Sequence, residues 1–288
     1  IQPLIFQPMK LILDSGGTKT AWALLSEGQV QSEGLLQGMN PYTVAREDLE
    51  ARIQSVAAAI EGHSVAEIYF YGAGCRSDDS KDYLRGLWKE AFSKAEIRLF
   101  DDLTGVAHAL GKGNPCIPCI LGTGASAGYY AQGKVLRYAP SNGVWLGDEG
   151  SGADLGKRLV KAYLDQALPE ELAQQFEARF PDRREDILSK VYREHGGAAY
   201  MGKFAPFLKD HAQHPFIEEL LSNAFADFFS HVKNHLPEAQ EYPLLMAGGV
   251  AASFLPQLKQ EASYKGLRLL LASKDVLPGL LRYYGVRV

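Results

Sequence analysis

Two short glycine turns, each following an apolar run, carry residue types that bind phosphate: Asp14-Ser15-Gly16-Gly17-Thr18-Lys19-Thr20 and Leu121-Gly122-Thr123-Gly124-Ala125-Ser126. Glycines let the backbone turn so that several N–H groups point at one spot, as a phosphate oxygen requires. In the first turn Thr18 and Thr20 can add hydroxyl donors. Asp14, at the strand end, can hold Mg²⁺, through water because magnesium sheds its hydration reluctantly. The second turn is no Walker A loop, since no Gly-Lys-Ser/Thr ends it, and no dinucleotide fingerprint, since strands and not a helix follow it. A plain hairpin turn with a solvated Asp is the bland alternative for either one alone; two such turns in one chain make coincidence harder to sustain.

Three further segments carry chemistry. Phe100-Asp101-Asp102-Leu103-Thr104-Gly105 puts two carboxylates at a strand end just as a helix begins. One of them could cap that helix, while Asp102 could serve as general base toward a substrate hydroxyl. Ala247-Gly248-Gly249-Val250 follows a buried strand and opens a helix, which suits either the close approach of a flat nucleoside or a tight connection. Gly143 to Gly152 holds four glycines and two acids in ten residues, Asp148 and Glu149. Acids beside glycine turns are usually solvated loop residues, but a run this dense leading into a helix could present carboxylates to the hydroxyls of a sugar.

These residues need strands to hold them. Leu11 to Asp14, Ala21 to Ser26 and Val30 to Leu36 read as an antiparallel meander. A helix from Glu47 to Ile60, a strand at Ile68 to Tyr71, a helix around Ser80 to Ser93 and a strand at Ile97 to Phe100 follow. The succession then restarts: Ile117 to Leu121, then Ala127 to Ala131 and Lys134 to Tyr138 as a hairpin. Helices are expected over Ala153 to Gln166, Pro169 to Arg179, Arg184 to Arg193 and Phe216 to His235. A strand at Leu244 to Ala247, a helix at Ala251 to Ala262 and a strand at Leu267 to Leu271 close the pattern. Two related α/β halves, each a mixed sheet with helical cover, would bring both glycine turns to one cleft. The join is placed near residue 108, giving domains 1–108, completed by a C-terminal helix at 275–288, and 109–274.

Composition excludes several classes. With 46% hydrophobic and 22% charged residues over 288 positions, a packed core is expected. A net charge of -4 provides no basic field for nucleic acid, and no run approaches the roughly 20 apolar residues that cross a bilayer. Ile1 to Pro8 lack the parts of a signal peptide and read as an upstream extension, with Met9-Lys10 opening the first strand. Three cysteines, Cys75, Cys116 and Cys119, fit a reducing cytosol better than a disulfide framework. Cys116-Ile117-Pro118-Cys119 invites a metal or redox reading, but residues i and i+3 of a strand face opposite ways, and partners for a four-ligand site are missing. His195, His211, His214, His231 and His235 show no metal-ligand spacing with nearby acids and are read as surface residues.

Taken in order, Leu13 to Thr20, Phe100 to Gly105, Leu121 to Ser126, Gly143 to Gly152 and Ala247 to Ala252 resemble the phosphate-1, first connecting, phosphate-2, Gly-Asp-Glu-Gly-Ser and adenosine segments of the actin-like ATPase and sugar kinase superfamily. The chain is most similar to its N-acetylglucosamine kinase and BadF/BadG/BcrA/BcrD-type ATPase family, from Met9 onward. The resemblance implies two ribonuclease-H-like domains flanking a Mg-ATP cleft. It makes Asp102 the catalytic base, beside Asp14, whose place at the strand end already suits a water-mediated Mg²⁺. It matches Gly17, Thr18, Thr123 and Gly124 to phosphate contacts, Gly248 and Gly249 to the adenosine site, and Asn40, Gly143 and Asp148 to sugar positions; Gly16 and Lys19 join the ATP candidates, and Gly74 and Asp102 the sugar candidates. Asp275 to Gly285 resembles the second connecting helix. Pro41-Tyr42 and Asn142 stand where mammalian sugar kinases carry tryptophans, so the acceptor pocket departs from theirs. The zinc-binding cysteine cluster of repressor-type glucokinases is absent. The implied activity is transfer of the γ-phosphoryl group of ATP to an amino sugar, N-acetylglucosamine or glucosamine; a regulatory ATPase acting on a partner protein is the alternative, and a silent nucleotide-binding module a third. The partners implied are the sugar and ATP, with room for a homodimer.

Overall fold

A computed structural model describes residues 9–193 and 196–286; the expectations for Ile1 to Pro8 and His195 lie outside these. The chain divides into two compact units, the first running to Asn114 and completed from Asp275 onward, the second from Pro115 to Lys274.

In the first unit, β1 (Met9–Ser15), β2 (Lys19–Ser26) and β3 (Gln29–Gln37) form the meander. Next come α1 (Arg46–Ala59), β4 (Val65–Gly72), α2 (Asp78–Ala91), β5 (Glu96–Asp101) and α3 (Asp102–Gly111). The sheet order is β3-β2-β1-β4-β5, with β1, β4 and β5 parallel. Because β1 is central and covered on both faces, Leu11, Ile12 and Leu13 are all fully buried, which is why its run is apolar without alternation. Leu49, Ile53 and Val56 of α1 repeat at helical spacing and bury against this sheet. The register sets Ser15 beside Gly72 and Gly72 beside Asp101, so the carboxyl ends of three parallel strands are level.

The second unit repeats this plan. β6 (Ile117–Leu121), β7 (Ala125–Ala131) and β8 (Lys134–Tyr138) form a second meander. Six helices follow: α4 (Gly152–Leu164), α5 (Glu170–Arg179), α6 (Arg184–Tyr192), α7 (Gly197–Gly202), α8 (Ala205–Asp210) and α9 (Pro215–His235). β9 (Leu244–Ala247), α10 (Gly249–Ser253), α11 (Leu255–Tyr264) and β10 (Leu269–Ser273) complete it. Its order, β8-β7-β6-β9-β10, matches that of the first sheet strand for strand.

Some expectations are corrected. The helix expected from Ala251 to Ala262 is two helices broken at Phe254, because Pro256 in the first turn of α11 has no N–H to continue α10. The short α7 and α8 were not legible, being one to two turns each. α12 (Leu277–Tyr283) returns the chain to the first unit and packs on α3, where a Cβ on Gly279 would lie 2.6 Å from that of Ala109. Tyr71 Oη bonds both His108 Nδ1 (2.9 Å) and Tyr284 Oη (2.6 Å), tying β4, α3 and the end of α12 together. Burial pushes His108 down to about 4, so it stays neutral here.

Candidate active site

In the first unit the site residues gather at the level strand ends. The turn from β1 to β2 closes with Gly16 N–H donating to Lys19 O at 2.9 Å. Neither Gly16 nor Gly17 has a positive φ, and no protein atom lies within 4 Å of where a Cβ on Gly17 would stand. Neither turn geometry nor packing therefore demands glycine at position 17. Thr18 and Lys19 are exposed, with Lys19 Nζ 2.5 Å from Asp275 Oδ1. Thr20 corrects the sequence reading: it is fully buried, its hydroxyl 2.8 Å from Ser15 Oγ and donating to Gln37 O at 3.1 Å. It fastens the hairpin and is no phosphate donor. Ser15 Oγ also accepts from Met39 N–H, and Gly38 is pressed on the turn so closely that its Cβ would meet Gly16 O and Gly17 O at 2.5 Å. The phosphate-type turn thus fixes the segment leading into Asn40.

Asn40 and Gly74 meet. Gly74 has φ +87°, and a Cβ there would lie 2.5 Å from Asn40 Oδ1. That oxygen accepts from Tyr42 N–H at 3.0 Å, which leaves the Asn40 Nδ2 donors uncommitted among the described residues. Tyr42 Oη reaches Ser77 Oγ (3.1 Å) and Ser80 Oγ donates to Gly74 O (2.6 Å), so the two loops are clamped together.

The paired aspartates divide their work. Asp101 is buried and is the cap of α3: its Oδ1 accepts from Thr104 N–H at 2.9 Å and its Oδ2 from Thr104 Oγ1 at 2.8 Å. Asp102, partly exposed, accepts from the adjacent Leu103 N–H, at 3.0 Å, and from its own N–H, and takes no part in the Thr104 cap. The bland role therefore falls to Asp101.

In the second unit three predicted segments converge. Gly152 N–H donates to Gly122 O (2.8 Å) and Ala153 N–H to Thr123 O (3.1 Å), so the start of α4 holds the second glycine turn. Asp148, at φ 57°, sets its carboxylate beside that turn: a Cβ on Gly124 would lie 3.0 Å from Asp148 Oδ2. Gly248 has φ +115°, and its Cβ would stand 2.3 Å from Leu121 O, whereas nothing lies within 4 Å of a Cβ on Gly249, Gly122 or Gly143. Sequence reasoning missed Asp154, a buried carboxylate that accepts from Gly150 N–H (3.0 Å) and Arg158 Nε (2.9 Å) and shapes the loop carrying Asp148. An Asp three residues after a helix-capping Ser is the signal that would have found it.

No family model and no curated protein matches the chain. Among solved structures, that of a candidate N-acetylglucosamine kinase from Porphyromonas gingivalis is 30% identical, covers 96% of this chain and 98% of its own, and superposes with a TM-score of 0.90. The chain belongs to the actin-like ATPase family of sugar kinases. Two more distant structures share the fold: a candidate N-acetylglucosamine kinase from Chromobacterium violaceum (22% identity, 96% and 99% coverage, TM-score 0.78) and a ROK hexokinase from Thermus thermophilus (18%, 96% and 96%, 0.53).

Within this sugar-kinase fold the first unit stores negative charge. Burial, and then the carboxylates of Asp102 and Asp275, push Asp14 up to about 7, against the pull of Lys19 and the Val276 N–H. Burial likewise raises Asp102 to about 6, opposed by Arg76. In the second unit burial raises Asp148 too, with Glu149 adding to it after the opposing Ala125 N–H. A carboxyl that binds its proton more tightly folded than unfolded stabilises the fold at low pH, and that contribution is lost as pH rises from about 4 toward 7. Asp14→Asn should therefore melt higher than the wild type at pH 8, by on the order of 5 °C, with the gap closing toward pH 5. Equal melting temperatures across that range would refute the stored-charge account.

The thiols are inert by the same physics: Cys75, Cys116 and Cys119 are buried, and Cys75 and Cys116 are pushed up to about 12. Among the described residues, no group of three or more His, Cys, Asp or Glu is arranged to hold a metal ion, and no helix is long and apolar enough to cross a membrane. Of the insert histidines, His211, His214 and His231 are partly buried and not freely exposed; His214 Nε2 lies 2.8 Å from Glu171 Oε1.

Proposed function

We propose that this chain transfers the γ-phosphoryl group of ATP to a hydroxyl of an amino sugar, N-acetylglucosamine or glucosamine, in the cytosol. The observation that carries the reading is the split between Asp101 and Asp102: the cap is taken, and the second carboxylate stands at the strand ends held only by local backbone N–H groups. In this reading Asp102 removes the acceptor proton as the oxygen attacks. Gly16, Gly17, Thr18 and Lys19 of the first unit, and Thr123 and Gly124 of the second, contact the phosphates. Gly248 and Gly249 receive the adenosine. Asn40 and Gly74 of the first unit, and Gly143 and Asp148 of the second, orient the sugar, with the Nδ2 of Asn40 donating to a hydroxyl.

A Mg²⁺ ion fits the donor set, since Asp14, crowded by Asp102 and Asp275, is the type of oxygen site that binds this cation through water. When bound with ATP it supplies charge neutralisation on the phosphates.

Turnover and thermal shift across a sugar panel, with and without Mg-ATP, test the reading. N-acetylglucosamine should give a sugar-dependent shift and ADP release. ATP hydrolysis at the same rate without any sugar would overturn it in favour of a regulatory ATPase. Gly74→Ala should raise KM for the sugar by roughly tenfold or more, because the added methyl displaces Asn40 Oδ1, and leave the nucleotide Kd unchanged; an unaltered sugar KM would remove Asn40 from the acceptor contacts.

A further inference from the structure

The second unit contains a cavity of about 590 Å³, walled in part by Trp145, Glu149, Arg158, Asp227, Asn234 and His235. Its size is that of a small-ligand site. Trp145 is 50% exposed, while Trp22 and Trp88 are at 3% and 0%. The indole is held in place: Tyr192 stacks on it at 6.2 Å, and a Cβ on Gly197 would come within 3.4 Å of its Cζ2. One large apolar plane therefore faces water, beside the exposed side chain of Leu146, in a cavity whose other side chains are polar.

The charges of the wall are largely spent on one another. Arg158 gives Nε to Asp154 (2.9 Å) and Nη2 to Asp227 (2.7 Å), and Lys157 Nζ lies 3.0 Å from Asp154. No surplus positive field remains for a phosphate or nucleotide. The polar atoms left without a protein hydrogen bond among the described residues are of mixed kind: the Glu149 carboxylate, the Asn234 amide and one nitrogen of His235, whose Nδ1 is 2.9 Å from His231 O. Acceptors and donors interleaved beside a half-open indole suit a ligand with an apolar C–H face and a rim of hydroxyls.

We propose that this cavity binds a neutral saccharide, with a pyranose face on Trp145 and hydroxyls on Glu149, Asp227 and Asn234. The wall runs in sequence from Trp145 to Glu149, between and beyond Gly143 and Asp148, so one segment would serve both this site and the acceptor residues. Binding here does not require that the chain be a kinase.

With the other two tryptophans buried, iodide quenching of intrinsic fluorescence reports on Trp145. The whole protein should be titrated with N-acetylglucosamine, its β-1,4-linked dimer and maltose. At least one saccharide is expected to protect Trp145 saturably, with affinity falling about tenfold in Asn234→Ala and in Asp227→Ala and unchanged in Asp148→Asn. Trp145→Phe should remove the quenchable signal. Protection that persists in the Asp227→Ala, Asn234→Ala double variant, or that vanishes in Asp148→Asn, would place the sugar at the acceptor residues and overturn the proposal. So would a lack of protection by all three saccharides.

Discussion

Asp102→Asn should lower turnover on the best sugar by on the order of 10²-fold or more while nucleotide affinity stays nearly constant. The substitution keeps size and shape, and the amide oxygen can still accept the Leu103 N–H that the carboxylate accepts at 3.0 Å. Helix α3 keeps its cap, because Asp101 and not Asp102 bonds Thr104, so the melting temperature should not fall. The mirror experiment is Asp101→Ala, which removes a buried cap and should cost about 1–2 kcal/mol of stability, with turnover affected only through folding. The pH profile adds a second readout. With Asp102 raised to about 6 by burial, the base is protonated at pH 5, and wild-type turnover should fall on an acid limb below about 6. Because Asp14 and Asp102 act on each other, the limb reports the pair and not one residue. The decisive set is kcat from pH 5 to 8 beside nucleotide Kd for both variants. Near-normal turnover in Asp102→Asn would sink the general-base assignment and leave a regulatory ATPase as the better account.

The same pair shows what a sequence can and cannot reveal. Strand ends, glycine turns and the repeated succession of elements were legible because a doubly covered central strand such as β1 must be apolar throughout. Which of Asp101 and Asp102 caps the helix was not, because both residue types cap equally well and only the φ, ψ path into α3 decides. Thr20 was misread as a phosphate donor although its position was informative: as the second residue of β2 it pairs with Ser15, and alternation sends it to the interior. The break at Phe254 had a written signal in Pro256, overridden by the helical periodicity around it. Glycines were the least legible. Gly38, Gly74 and Gly248 are required by close contacts with Gly16 and Gly17, Asn40 and Leu121, whereas Gly17, Gly122 and Gly249 meet no protein atom within 4 Å. A sequence prints all six alike.

That distinction makes neighbouring substitutions at Gly248 and Gly249 opposite in sign. Gly248→Ala puts a side chain at φ 115°, ψ 166°, a region open essentially to glycine alone and costing about 1–3 kcal/mol. The added Cβ would also sit 2.3 Å from Leu121 O, a backbone atom of β6 that cannot swing aside. The loss should total roughly 2–4 kcal/mol, read as a melting temperature lower by on the order of 10 °C. Gly249 is the first residue of α10, with ordinary φ and no neighbour within 4 Å. Alanine there should leave the melting temperature unchanged or slightly higher, since it favours the helical conformation over glycine. Its effect should appear only with nucleotide present: a methyl between the α10 backbone and the adenosine should weaken ATP binding by about tenfold or more, as expected where a flat ligand must approach the main chain closely. The measurements are melting without ligand and nucleotide titration of each variant. A Gly249→Ala protein that folds normally and binds ATP as tightly as the wild type would show that this segment is a strand-to-helix connection and would move the adenosine elsewhere.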